Sequence, residues 1–315
     1  MSDHRFIEPA LTAIIVILDT YDTVRHTMSH LQVQTAAKQM EVVFVVPSLE
    51  KCGLDETELA CFHSWQVVEI GPIKSIARGF VAGIRRSHAP VVALTEDHSF
   101  PEANWAQILI AAHQQPWAAV GPGIKNGNPN TMISWADFYA SYSEWSPPVS
   151  SGLVRHLPGH NSSYKRNVLL AYGEQLDILM QAESVLYRHL KARGYQLWLE
   201  SNTYTLHSNF TSWTHWIRAQ YHTGRQFAAT WAQPWSWLRR LLFTIGSPGI
   251  PWLRLWRIQK HIRRAHADVF FICLLPMLLA GLLVNGLGQM VGYAAGAGDS
   301  IDKVTEHERH RFKGT

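Results

Sequence analysis

The sequence predicts an α/β fold: a mixed, mostly parallel sheet flanked by helices, followed by a membrane-associated helical region. Three observations carry this. Short apolar, β-branched runs alternate with helical stretches over about the first hundred residues. Polar, acidic residues follow the ends of those runs, and in open α/β sheets ligands bind beyond the carboxyl ends of the strands. Past Thr211 the character changes to aromatic and basic, and then to a long uncharged stretch.

The first run, Leu11 to Leu18 (LTAIIVIL), is nearly continuous in apolar residues, as strands buried on both faces are. A turn-like Asp19-Thr20-Tyr21-Asp22-Thr23 follows, then a helical stretch from Val24 to Gln34. Glu41 to Val46 (EVVFVV) reads as a second strand closed by Pro47, and Gln66 to Ile70 as a shorter third. Ser75 is placed to cap a helix from about Ile76 to Arg86. Pro90 to Leu94 is a fourth strand that ends in Thr95-Glu96-Asp97-His98.

The middle of the chain mixes shorter elements. Asn126-Gly127-Asn128-Pro129-Asn130 is turn-rich, and Leu157 to Ser163 reads as a polar turn leading into a helix. Ala182 to Arg193 is a further helix ended by Gly194, and Tyr195 to Glu200 a strand. The expected division is a catalytic domain over 1–210, basic Trp-rich interfacial helices over 211–267, a transmembrane or re-entrant segment over 268–298 and a polar tail over 299–315.

Composition limits the function classes. The 315 residues suffice for one large α/β domain with an appendage. Hydrophobic residues make up 47%, whereas charged residues make up only 17%, below the roughly 25% of soluble proteins. The net charge is +4, unevenly spread: from Arg218 to Arg264 there are many Arg and Lys and no Asp or Glu. Interleaved with Trp and Leu beside an apolar run, this block fits an anionic membrane surface better than nucleic acid. Cys52, Cys61 and Cys273 show neither metal-type spacing nor a disulfide framework. No signal-peptide core is visible in residues 1–9, and the basic excess beside the apolar run sets that side in the cytosol. The expected location is the cell membrane, with the catalytic domain facing the cytosol.

The chemistry is concentrated after the fourth strand. Acidic residues at a strand end supply hard oxygen ligands on a fixed backbone, which suits a divalent cation held against a diphosphate. Such residues also occur in ordinary solvated loops, so their neighbours decide the reading. Four segments in order resemble the family 2 glycosyltransferases of the GT-A fold. They are the opening strand with Gln34-Thr35 and EVVFVV; Ile76-Ala77-Arg78 with Ala82-Gly83-Ile84 and the strand ending in Glu96-Asp97-His98; Pro158 to Arg166; and Glu183 with Leu186, Leu190, Arg193 and Gly194-Tyr195. Together they cover roughly Leu11 to His207.

The resemblance implies transfer of a sugar from a nucleotide-sugar donor to an acceptor hydroxyl, with inversion. It assigns donor binding to Asp19, Asp22, Arg78, Glu96 and Asp97, and the divalent metal (Mn or Mg) to Asp97, His98 and His207. Glu183 takes the place of the catalytic base, and His160 and Asn161 line the acceptor cleft or cap the helix that follows. Two departures stand out. His98 replaces a carboxylate, which favours Mn over Mg, and Pro47-Ser48 stands where the family commonly has a base-reading Asp. The membrane end suggests a lipid or lipid-linked acceptor; a homo-oligomer is compatible with the sequence. The rival readings are a catalytically inactive nucleotide-sugar or glycan-binding membrane protein of the same fold, and a membrane-surface scaffold.

Overall fold

The computed structural model describes residues 8–265 and 268–309. The chain forms two compact units. The first comprises residues up to Pro122, Ser150–Asp177 and Tyr187–Thr205; the second comprises Gly123–Val149, Ile178–Leu186 and Leu206 onward.

The first unit is built on β1 (Leu11–Val16), β2 (Met40–Val46), β3 (Ser64–Glu69) and β4 (Val91–Thr95), all parallel. β1 lies between β2 and β4, with Ile14 level with Val43 and Leu94. Every residue of β1, β2 and β4 is buried, as their unbroken apolar runs require. Strands β5 (Ser99–Pro101), β6 (Ala119–Asn126), β7 (Gly152–Val154), β8 (Ser163–Lys165) and β9 (Leu197–His207) extend the sheet. The strand order is β3-β2-β1-β4-β8-β6-β9-β5, with β7 on β9; β8 is antiparallel to both β4 and β6. β6 and β9 run on into the second unit.

The early helices are α1 (Arg25–Gln32), α2 (Leu49–Cys52), α3 (Ile76–Arg86) and α4 (Trp105–Ala112). They are followed by α5 (Met132–Tyr142), α6 (Arg166–Leu170), α7 (Leu176–Leu179) and α8 (Glu183–Ala192). α3 lies close against the sheet because Gly79 and Gly83 share its inner face. A Cβ on Gly83 would come 2.4 Å from Ile14 Cγ2, and one on Gly79 would come 2.8 Å from Val16 Cγ1.

The segment read as a polar turn before a helix contains a strand. Gly159–Asn161 is a single 3-10 turn, β8 follows, and only then does α6 begin. Three residues are too few to show a period, and β8 is fixed by its neighbours: Tyr164 is buried level with Val92 and Ala119. β9 also continues past the expected Glu200 to His207.

The second unit is mostly helical: α9 (Trp213–Trp231), α10 (Trp237–Gly246), α11 (Ile250–Arg264), α12 (Asp268–Ala295) and α13 (Ser300–Arg309). The long apolar stretch is one helix, not a hairpin, with Pro276 inside it. Phe270–Ala295 is long and apolar enough to cross a membrane. The polar segment after it forms α13, whose Ser300 and Thr305 are buried.

Candidate active site

Five of the predicted residues meet at the carboxyl end of β4. The Glu96 carboxylate accepts a hydrogen bond from Asn161 Nδ2 at 2.7 Å and one from the Ser99 hydroxyl at 3.2 Å. His160 Nδ1 lies 3.4 Å from its other oxygen. Asp97 Oδ1 is 2.6 Å from Nδ1 of His98, whose ring is almost wholly buried, and His98 Nε2 stands 3.7 Å from Glu96 Oε2. With Nδ1 donating to Asp97, the imidazole presents Nε2 toward Glu96. There it serves as a second N–H when charged, or as a lone pair for a cation when neutral. A carboxylate that fixes the far nitrogen of a histidine is the usual way to set the tautomer of a metal ligand.

The backbone around this cluster is held from two sides. The Thr27 hydroxyl of α1 donates to the Asp97 carbonyl at 2.9 Å. Gln34-Thr35, part of the family resemblance, clasps the segment that leads into α4. Gln34 Nε2 donates to the Glu102 carbonyl at 2.8 Å, its Oε1 accepts from the Ala106 N–H at 2.9 Å, and the Thr35 N–H donates to the Ala103 carbonyl. From the other side, Gly121 of β6 leaves room for the turn that delivers Asn161; a Cβ there would lie 2.6 Å from Pro158 Cδ. Gly159 takes a positive φ of 33° in that turn. His160 also rests beside the ring of Phe80, centroids 5.0 Å apart. Asn161 therefore caps no helix: its amide is spent on Glu96, and α6 starts only after β8.

Other predicted residues fall elsewhere. Asp19 follows β1, partly exposed. Asp22 is exposed on a 3-10 turn and pairs with Arg25 at 2.9 Å. Arg78 is exposed in the first turn of α3. Glu183, partly exposed, is the first residue of α8 and lies in the second unit.

His207 also belongs to the second unit, buried at the end of β9. Its Nδ1 faces Asn209 Oδ1 at 2.9 Å and its ring lies 4.5 Å from that of Tyr142. An asparagine network fixes this end. The Asn209 N–H donates to Asn128 Oδ1 at 2.8 Å, Asn209 Nδ2 to Asn126 Oδ1 at 3.0 Å, and Asn128 Nδ2 to the Asn209 carbonyl at 2.8 Å. Gly127 packs on the His207 backbone, where a Cβ would lie 3.1 Å away. The turn-rich 126–130 stretch thus supplies Asn126 and Asn128 as supports of the His207 end. Asn209, two residues on from His207, was the available signal.

No protein-family model matches the chain, and no curated protein matches it in sequence. Solved structures do match in fold. A mannosyltransferase from Pyrobaculum calidifontis, PcManGT, in complex with GDP-Man and Mn2+, is similar over 90% of this chain and 87% of its own, with 14% identity and a TM-score of 0.54. TarS 1-349 of S. aureus in complex with UDP matches over 90% of each chain at 13% identity, with a TM-score of 0.46. The fold of this chain is that of the GT-A glycosyltransferases: a mixed, mostly parallel sheet with flanking helices.

Proposed function

We propose that the protein is a glycosyltransferase that moves a sugar from a nucleotide-sugar donor to an acceptor hydroxyl with inversion, and that its acceptor is a lipid or lipid-linked group at the cytosolic face of the membrane. The observation that carries this is the Glu96-Asp97-His98 cluster at the end of a central parallel strand, bonded to Asn161 and flanked by His160. PcManGT, of the same fold, holds a nucleotide sugar and Mn2+, which supports a nucleotide-sugar donor and a manganese-like cation here.

In this reading Glu96 and Asp97 contact the donor nucleotide, with Asp19 toward its nucleoside and Arg78 toward its phosphates; Asp22, exposed and paired with Arg25, is the weakest member of that set. Asp97, His98 and His207 hold the cation. The donor set suits a borderline ion, because it mixes imidazole with carboxylate and Asp97 orients the His98 ring through Nδ1. When bound, the cation offsets charge on the departing nucleoside diphosphate. Glu183 removes the acceptor hydroxyl proton as that oxygen attacks the anomeric carbon. His160, between Glu96 and Phe80, lines the acceptor side.

The test is turnover of GDP- and UDP-sugars with a membrane lipid extract, wild type against Glu183→Gln. The expected loss is about 10²–10⁴-fold in turnover, the usual contribution of a general base, with nucleotide affinity kept. A second reading, a nucleotide-sugar-binding protein without turnover, draws on His98 in place of a carboxylate. It predicts nucleotide binding by wild type and no transfer to any acceptor.

A further inference from the structure

The basic, Trp-rich helices carry an exposed face that the catalytic reading does not use. α10 has no buried residue at all. Trp237, Leu238, Leu241, Leu242 and Ile245 are spaced to fall on one stripe of it, and all five are exposed, Trp237 at 75% and Ile245 at 69%. α11 repeats the design over its first turns with Trp252, Leu253 and Trp256, the last 61% exposed. Together these side chains expose on the order of 1,000 Å² of apolar surface, against the few hundred that soluble monomers ordinarily show in a patch.

Farther along α11 the same stripe becomes basic. Arg257, Lys260, Arg263 and Arg264 are all exposed on the side opposite the buried Ile258 and Ile262. The stretch 201–267 contains no Asp or Glu. An apolar face that grades into exposed cations is complementary to a bilayer surface with anionic headgroups.

α12, by contrast, packs one side against its own unit, while Ile272, Leu283 and Leu287 stay exposed on it. Gly281, Gly288 and Gly292 face α9 so closely that a Cβ on Gly288 would lie 2.1 Å from the Tyr221 carbonyl oxygen. Asn285 donates to the Gln220 carbonyl at 3.0 Å and accepts from Arg254 at 2.7 Å and Gln289 at 2.9 Å. Arg225 of α9 donates to the Gly296 carbonyl at the end of α12. A bilayer crossed by α12 would have to take in this polar partner helix as well.

We propose that α10 and the exposed stripe of α11 form an in-plane docking surface for an anionic lipid bilayer, and that α12 is the central helix of the docking unit, not a membrane span. Apolar side chains of α10 and the start of α11 enter the headgroup boundary, and the cations of α11 pair with lipid phosphates and carboxylates. This goes beyond sugar transfer and does not depend on it.

The experiment is co-sedimentation of the full chain with vesicles of phosphatidylcholine alone and of phosphatidylcholine with about one-third phosphatidylserine. Wild type should bind the anionic vesicles at least tenfold more tightly, and alkaline carbonate should release it from them. Trp237→Glu/Leu242→Glu/Ile245→Glu should lower binding at least tenfold with an unchanged melting temperature, since all three side chains are exposed. Lys260→Ser/Arg263→Ser/Arg264→Ser should remove the preference for anionic lipid, at about fivefold per cation. Retained binding by the triple-Glu variant, or resistance to carbonate, makes α12 the anchor and overturns the proposal. So does a wild type that ignores vesicles and instead forms a dimer that the triple-Glu change dissociates.

Discussion

Asn161→Ala tests the geometry of the cluster without any ligand. Asn161 is almost wholly buried and donates to a carboxylate oxygen at 2.7 Å. A hydrogen bond to a charged group contributes about 1.5–3 kcal/mol. Glu96 keeps the Ser99 hydroxyl at 3.2 Å, so the expected destabilisation is toward the middle of that range, about 2 kcal/mol. A double-mutant cycle with Glu96→Gln isolates the pair, because the two groups touch directly. Urea denaturation of the four proteins should give a coupling energy of at least about 1 kcal/mol. Asn161→Asp sharpens the test. It sets a second carboxylate against Glu96, so at neutral pH it should cost more than Asn161→Ala, and the excess should shrink in mild acid as one carboxyl takes a proton. A coupling near zero, or an Asp variant no worse than the Ala variant, would refute the arrangement.

Further outcomes follow from other parts of the chain. Glu41 is buried among partners: burial pushes its carboxyl up, but donation from the His88 N–H, the Thr12 hydroxyl, the His88 ring and Gln66 outweighs this and holds it below the ordinary 4.5. Its folded value is depressed, so the stability it contributes is present above pH 4.5 and is lost as pH falls through the folded value. Glu41→Gln should flatten the acid limb of a stability–pH curve. Gly83→Ala forces a Cβ to 2.4 Å from Ile14 Cγ2 and should cost about 1–3 kcal/mol by overpacking, whereas Gly246→Ala, which meets nothing within 4 Å, should cost far less, as paired thermal melts will show. Asn285→Leu removes one of the two acceptors of Arg254, leaving the Ala140 carbonyl, and should destabilise the helical unit by about 2–3 kcal/mol; hydrogen exchange should localise the loss to α9, α11 and α12. Asp97→Ala frees the Nδ1 side of His98 and should weaken Mn-dependent thermal stabilisation by about 10–100-fold in apparent affinity.

The parallel core was legible because strands buried on both faces must be apolar throughout, as LTAIIVIL and EVVFVV are. α3 was legible from Ser75 at its start, which takes the N-cap position but makes no side-chain cap hydrogen bond, and Gly79 and Gly83 explain how closely the helix packs. β8 was not, because Ser163-Tyr164-Lys165 is shorter than any period and is held by β4 and β6, elements distant in sequence. The acidic cluster was legible from its place after a strand. Its internal bonding was not: nothing in Glu-Asp-His says that Asp97 turns to His98 or that Asn161 reaches back sixty-five residues to Glu96. Asp22 illustrates the reverse case, since an acidic residue in a strand-end loop found a local arginine. The asparagines around His207 were hidden because side chains that bond to backbone look like loop composition until the fold brings Asn126, Asn128 and Asn209 together.

Sugar transfer from a nucleotide donor is measured by single-turnover release of nucleoside diphosphate from GDP-mannose and other GDP- and UDP-sugars, with Mn2+ and a lipid extract. Release should be coupled to appearance of a glycosylated lipid and fall about 10²–10⁴-fold in Glu183→Gln, while nucleotide still raises the melting temperature. Nucleotide binding by wild type without release or product on any donor would contradict it.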